Sequence, residues 1–66
     1  MAALKIVVES PECEPRLRAR LAELDGAVQH VIRYQHTDEL QVAVGDDRLL
    51  ELVKWMRTSG GFRWQI

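Results

Sequence analysis

The sequence has only one cysteine, Cys13, so it cannot form an internal disulfide bond. Small secreted domains commonly depend on several disulfides, and their absence favours a reducing compartment, most simply the cytoplasm. The chain also lacks a run of roughly 20 apolar residues, the length that a membrane-spanning helix requires. Its opening segment, MAALKIVVES, has no basic region ahead of the apolar part, as a secretory signal would. We therefore expect no association with a membrane.

An excess of charge of either sign is also missing. The sequence has nine Lys and Arg residues and ten Asp and Glu residues, which gives a formal net charge of -1. The chain as a whole therefore has no strong electrostatic attraction to nucleic acid or anionic lipid. With 66 residues the chain can form one small domain, which buries only about 60% of the surface that its unfolded chain exposes. We therefore predict a single domain over residues 1–66, without a deep enclosed pocket.

The common motifs of enzyme sites are absent from the sequence as well. It has no glycine-rich phosphate loop and no His-Glu-x-x-His zinc motif. Asp46 and Asp47 are adjacent carboxylates, but they stand at a predicted helix start, where the helix dipole favours acidic residues. His30 and His36 fall on one predicted strand about 20 Å apart, too far to share a metal ion. We therefore expect that the domain is not an enzyme.

The spacing of apolar residues predicts four strands and two helices. A period of two indicates strands, and a repeat at i, i+4 and i+7 indicates amphipathic helices. Asp-Gly and Gly-Gly pairs end the two helices, and a Thr-Asp turn at residues 37–38 separates the strands of a hairpin. The predicted elements are strands at residues 3–9, 27–36, 39–45 and 62–66, and helices at residues 15–24 and 48–56.

The order of these elements is β-α-β-β-α-β. Each strand is apolar on one side and each helix has one apolar stripe, so two helices covering one face of a four-stranded antiparallel sheet would bury every apolar surface. We therefore predict a ferredoxin-like fold, an α+β sandwich of two layers.

With this order of elements, three local motifs carry a resemblance to a known family. A cysteine, Cys13, lies in the loop between the first strand and first helix, LDGAV follows that helix, and GGF leads into the last strand. In these features the chain resembles the heavy-metal-associated domains of copper and mercury carriers. The resemblance implies a metal-binding Cys-x-x-Cys in the first loop, but here that loop reads Ser10-Pro11-Glu12-Cys13.

The resemblance therefore implies a degenerate soft-metal site at Cys13 and Ser10. Soft ions such as Cu(I) prefer thiolate ligands, and a serine hydroxyl is a poor substitute for the second one. Cys13 would then bind Cu(I) alone, or share it with the Cys13 of a second molecule. The alternative is a cysteine without a chemical role, at or just before the cap of the first helix, with Pro15 in the first turn.

Three aromatic residues are candidates for protein contacts. Trp55 falls near the edge of the apolar stripe of the second helix, where it either covers the core or meets a partner. Phe62 and Trp64 belong to the last strand, which lies at a sheet edge in this topology and can pair with another chain. The uncovered sheet face has no predicted aromatic platform of the kind that RNA-binding modules use.

The function that these residues favour is a small non-enzymatic binding module that acts through protein contacts, as a homo-oligomer or an accessory subunit. The alternative is a soft-metal binding or trafficking protein that uses Cys13. A small-ligand regulatory domain of the same topology is a third possibility, which rests on architecture alone.

Overall fold

The predicted ferredoxin-like fold is confirmed by the computed structural model, which describes residues 2–33 and 38–66. The four strands form one antiparallel sheet of order β2-β3-β1-β4. No helix within the described residues has the length and apolar content needed to cross a membrane. The elements are β1 (Ala2–Val8), α1 (Cys13–Glu23), β2 (Ala27–Arg33), β3 (Asp38–Val44), a short 3-10 helix (Asp46–Arg48), α2 (Leu49–Ser59) and β4 (Phe62–Gln65).

The core lies between the two helices and one face of the sheet. The alternating residues of β1 and β3 that the sequence assigned to a core are buried, as are the central leucines of α1. The 3.6-residue period of a helix and the two-residue period of a strand bring these side chains into one layer. The most deeply buried side chains are Ile6, Val8, Leu17, Leu21, Leu40, Val42, Val44, Leu52 and Met56.

Helix α1 begins two residues earlier than the sequence predicted. Glu12 occupies the N-cap, Cys13 is the first helical residue, and Pro15 lies in the first turn as expected. The backbone N–H of Cys13 donates to the carbonyl of Ser10 at 3.0 Å, which turns the loop into the helix. The predicted stop is confirmed: Gly26 N–H donates to the Leu21 carbonyl at 2.7 Å, just beyond the end of the helix.

The prediction of a turn at residues 37–38 is wrong for Asp38, which is the first residue of β3. Asp38 is paired with Val8 of β1 on one side and with Arg33 of β2 on the other. The Arg33 guanidinium also donates to the Asp38 carboxylate at 2.9 Å, so cross-strand pairing outweighs the turn preference of an aspartate. Residues 34–37, which include His36, lie outside the described residues.

The two edges of the sheet differ in regularity. Strand β2 has a register shift between Val28 and His30, which identifies a bulge at Gln29. Bulges disturb the flat row of main-chain groups that a foreign strand needs, and they protect sheet edges. Strand β4, at the other edge, pairs with β1 without a register shift.

Candidate functional site

The thiol of Cys13 lies inside the domain, near the turn that leads into β4. The residue is 7% exposed and belongs to the hydrophobic core. A Cβ atom built on Gly61 would stand 2.8 Å from Cys13 Sγ, so the thiol packs directly against the Gly61 backbone. Glu9 N–H donates to the Gly61 carbonyl at 3.0 Å and holds that turn in place. Cys13 is therefore positioned as a packing residue.

Ser10, the second predicted metal ligand, has another partner. Its hydroxyl donates to the Glu12 carboxylate at 3.0 Å, on the exposed side of the loop. Glu14, next to the cysteine, accepts from Arg18 at 3.2 Å and lies 3.6 Å from Arg33. Within residues 2–33 and 38–66, no three His, Cys, Asp or Glu residues are grouped as a metal site would require. The geometry gives the metal hypothesis no support beyond the presence of the thiol, and it stays a prediction.

We expect the folded protein to protect Cys13 from thiol reagents. A reagent reaches a buried sulfur only after local opening, so labelling should be slower than in the unfolded chain by roughly a hundredfold or more. Reaction with a chromogenic disulfide, followed with and without denaturant, measures this ratio.

The same burial predicts that Cu(I) uptake, measured against a competing chelator, is equal in the wild type and in Cys13→Ala. Stoichiometric uptake that Cys13→Ala abolishes, together with rapid labelling of the thiol, would instead support the metal hypothesis.

Trp55 covers the core from the helix layer. It is half-buried, and its ring lies 5.3 Å from that of Phe62 with an angle of 36° between the planes. Trp55 also lines a shallow groove with residues of α1 that include Arg16 and Arg20. This side of α2 therefore faces α1. Phe62 is 6% exposed and supports Trp55 from below.

Trp64 lies on the helix side of the sheet, at its edge. It is paired with Ile6, which is fully buried, and directly paired residues of two strands have their side chains on the same face. Trp64 is half-buried and packs against the core. The neighbouring residues Arg63 and Gln65 are paired with Val7 and Lys5, so they lie on the uncovered face.

Two large apolar residues are exposed outside the core. Among the described residues, the large hydrophobic side chains that are exposed belong to Leu50, at 62%, and Ile66, at 78%. At about 100° per residue, Leu50 lies roughly 140° around α2 from Trp55, so it faces away from α1 and into solvent. The N-terminal end of α2 and the end of β4 lie at the same end of the domain, because a tight turn joins the other ends.

Val53, on the side of α2 away from α1, and the β4-side residues Trp64 and Ile66 form what we call the edge strip. Val53 and Trp64 are partly buried against the core, and Ile66 is exposed. The sequence did not reveal Leu50, although its position off the main apolar stripe of α2 was a usable signal. Ile66 was expected on the buried side of the last strand, but it lies beyond the final pair, Lys5 with Gln65, and nothing in the described core covers it.

The main-chain groups along the outer side of β4 are also available. Glu9 N–H bonds to the Gly61 carbonyl, and hydrogen-bonded pairs alternate along an antiparallel ladder. The pairs Val7 with Arg63 and Lys5 with Gln65 therefore carry the bonds to β1. The N–H and C=O groups of Phe62 and Trp64 point away from the sheet, where the described residues provide no neighbouring strand.

The uncovered face of the sheet has a different character. Lys5 lies 3.6 Å from Glu39 of the neighbouring strand, and Arg63 lies 3.6 Å from Glu9. The pair of Arg63 with Glu9 is exposed and contributes about 0–1 kcal/mol to stability. In the other pair Lys5 is exposed, but the Glu39 side chain is mostly buried. His30 is also exposed on this face, where it is paired with Gln41. Neither tryptophan lies on this face.

Comparison with known proteins assigns the chain to no family. No protein-family model matches it, and no curated protein or solved structure is significantly similar to it. The resemblance to heavy-metal-associated domains therefore rests only on its fold and on the short motifs quoted above.

Proposed function

We propose that this domain is a non-enzymatic protein-interaction module that binds a partner strand along β4. The observation that carries the proposal is the coincidence of the edge strip with a regular sheet edge to which no strand of the described residues is paired. An added strand would bond to the main chain of Phe62 and Trp64 and cover Trp64 and Ile66. Main-chain bonds supply affinity in this mode of recognition, and pockets for alternate side chains supply specificity.

Contrast with the other edge of the sheet supports this choice. Strand β2 has a bulge at Gln29, whereas β4 is regular, and it contains no proline. Its one charged residue, Arg63, lies on the uncovered face and is already near Glu9. Natural proteins protect exposed edges with bulges, prolines and inward-pointing charges, so an edge without them is suited to binding.

Trp64→Pro tests the role of the main chain, with Trp64→Ala as its matched control. Both changes remove the indole, but only proline also removes the outward N–H and obstructs an added strand. We expect Trp64→Ala to bind extended peptides more weakly than the wild type, and Trp64→Pro to lose about a further tenfold or more in affinity. Peptides selected from a displayed random library with the wild-type domain, labelled for fluorescence anisotropy, provide the measurement.

Arg63→Pro checks the assignment of the edge. The Arg63 N–H faces β1, so this change should lower the melting temperature, while Trp64→Pro leaves the fold intact by circular dichroism. The proposal fails if the wild type selects no peptides, or if Trp64→Pro and Trp64→Ala bind the selected peptides equally well.

A further inference from the structure

We propose that the strand that binds β4 is β4 of a second copy of this chain, antiparallel about a two-fold axis at Trp64. The two sheets would then form one continuous eight-stranded sheet, because each contributes four strands. This inference rests on the proposed function and names its partner.

Pairing of β4 with β4 of a second copy gives each outward-facing main-chain N–H and C=O group of the strand a hydrogen-bond partner. With Trp64 opposite Trp64 of the second copy, Phe62 stands opposite Ile66, the residue that follows the end of β4 at Gln65. Extending the strand by this one residue pairs the outward-facing residues of the two copies with one another. This arrangement is isologous, as a two-fold interface requires. Once Ile66 extends the strand, the arrangement also forms up to about six main-chain hydrogen bonds, because each of the three outward-facing pairs exchanges two.

The charge of Arg63 favours this register over the registers that are shifted by two residues in either direction. A shift of two residues toward the turn places Arg63 directly opposite Arg63 of the second copy, and like charges in that position are destabilising. A shift in the other direction places Gln65 opposite Gln65 and leaves Phe62 without a partner. Only the register centred on Trp64 places Arg63 opposite Gln65, where a guanidinium can donate to an amide oxygen.

The edge strip supplies the apolar area that a pair of short strands lacks. Stable interfaces bury about 1,200–2,000 Å² in total, more than the pairing of two such short strands provides. In the two-fold arrangement, Ile66 of each copy lies beside Phe62 of the other, and the two α2 helices run side by side. Val53, on the side of α2 that faces away from α1, would be covered there.

Disulfide trapping tests both the partner and the register. Arg63→Cys and Gln65→Cys are made separately in a Cys13→Ala background that circular dichroism shows to be folded. In the proposed register, residues 63 and 65 of opposite copies form a non-hydrogen-bonded pair, with Cβ atoms about 4.5–5.5 Å apart. We expect the mixture of the two variants to form a disulfide-linked dimer quickly, and either variant alone to form it at least about tenfold more slowly.

Sedimentation equilibrium on the wild type, Trp64→Ala and Trp64→Pro supplies the second measurement. We expect the wild type to dimerise, and Trp64→Pro to raise the dissociation constant about tenfold or more relative to Trp64→Ala. Cross-linking of Arg63→Cys alone, or of Gln65→Cys alone, at the rate of the mixture would overturn the register. A wild type that stays monomeric at millimolar concentration but binds selected peptides through β4 would overturn self-pairing and leave the proposed function standing. A monomer that also binds no peptide would overturn both.

Discussion

Replacing Leu52 with alanine is expected to lower the free energy of unfolding by about 3 kcal/mol. Leu52 is fully buried in the core that α2 forms with the sheet. Its truncation loses the free energy that is gained when the deleted methyl groups move from water into the core. It also leaves a cavity that the surrounding side chains fill only in part. A domain of this size has a total stability of roughly 3–5 kcal/mol, so the variant should be largely unfolded near body temperature.

Leu50→Ala is the matched control, because the same change is made two residues away on the same helix. Leu50 is 62% exposed, so its truncation should alter stability by no more than about 0.5 kcal/mol. Thermal unfolding followed by circular dichroism should show a fall of roughly 15 °C for Leu52→Ala and little change for Leu50→Ala. Equal losses in the two variants would contradict the placement of α2.

Gly61→Ala is expected to destabilise the domain by about 3–4 kcal/mol, through two separate causes. The φ angle of Gly61 is +86°, a region in which a Cβ atom meets steric strain. The same Cβ atom would stand 2.8 Å from Cys13 Sγ, so the thiol or the turn must move. Urea denaturation gives the loss in the free energy of unfolding.

Gly60→Ala and Cys13→Ala separate the two causes. Gly60 has a φ angle of +73°, but a Cβ atom built on it would meet no atom of the surrounding structure within 4 Å. Gly60→Ala should therefore show the backbone strain alone, about 1–3 kcal/mol. Combining Cys13→Ala with Gly61→Ala removes the contact and should recover about 1–2 kcal/mol relative to the sum of the single changes. Strictly additive losses would show that Cys13 does not pack against this turn.

The outcome of this cycle also bears on the role of Cys13. A coupling between Cys13 and Gly61 is what a packing residue produces, since the sulfur fills the space that a glycine leaves. A metal ligand needs a sulfur that can reach an ion and at least one further donor. The hydroxyl of Ser10, hydrogen-bonded to Glu12, is not directed to that task.

The elements and their order were determined by the sequence alone. Alternation from Leu4 to Val8, and leucines at helical spacing in α1, define one buried side for each element, and few architectures bury all of those sides at once. The Asp-Gly stop after α1 is equally local, because it depends on the conformations that residues 25 and 26 can adopt. These features require no knowledge of distant contacts, so the ferredoxin-like fold could be predicted.

The candidate site was decided by tertiary structure. Burial of Cys13 depends on Gly61, which is far away in sequence, and the exposure of Ile66 depends on where β1 stops pairing with β4. The exposure of Leu50 depends on which sides of α2 are covered by α1 and by the sheet. Local periodicity records which side of an element is apolar, but only the packed arrangement of elements decides which apolar residues remain uncovered at the same edge.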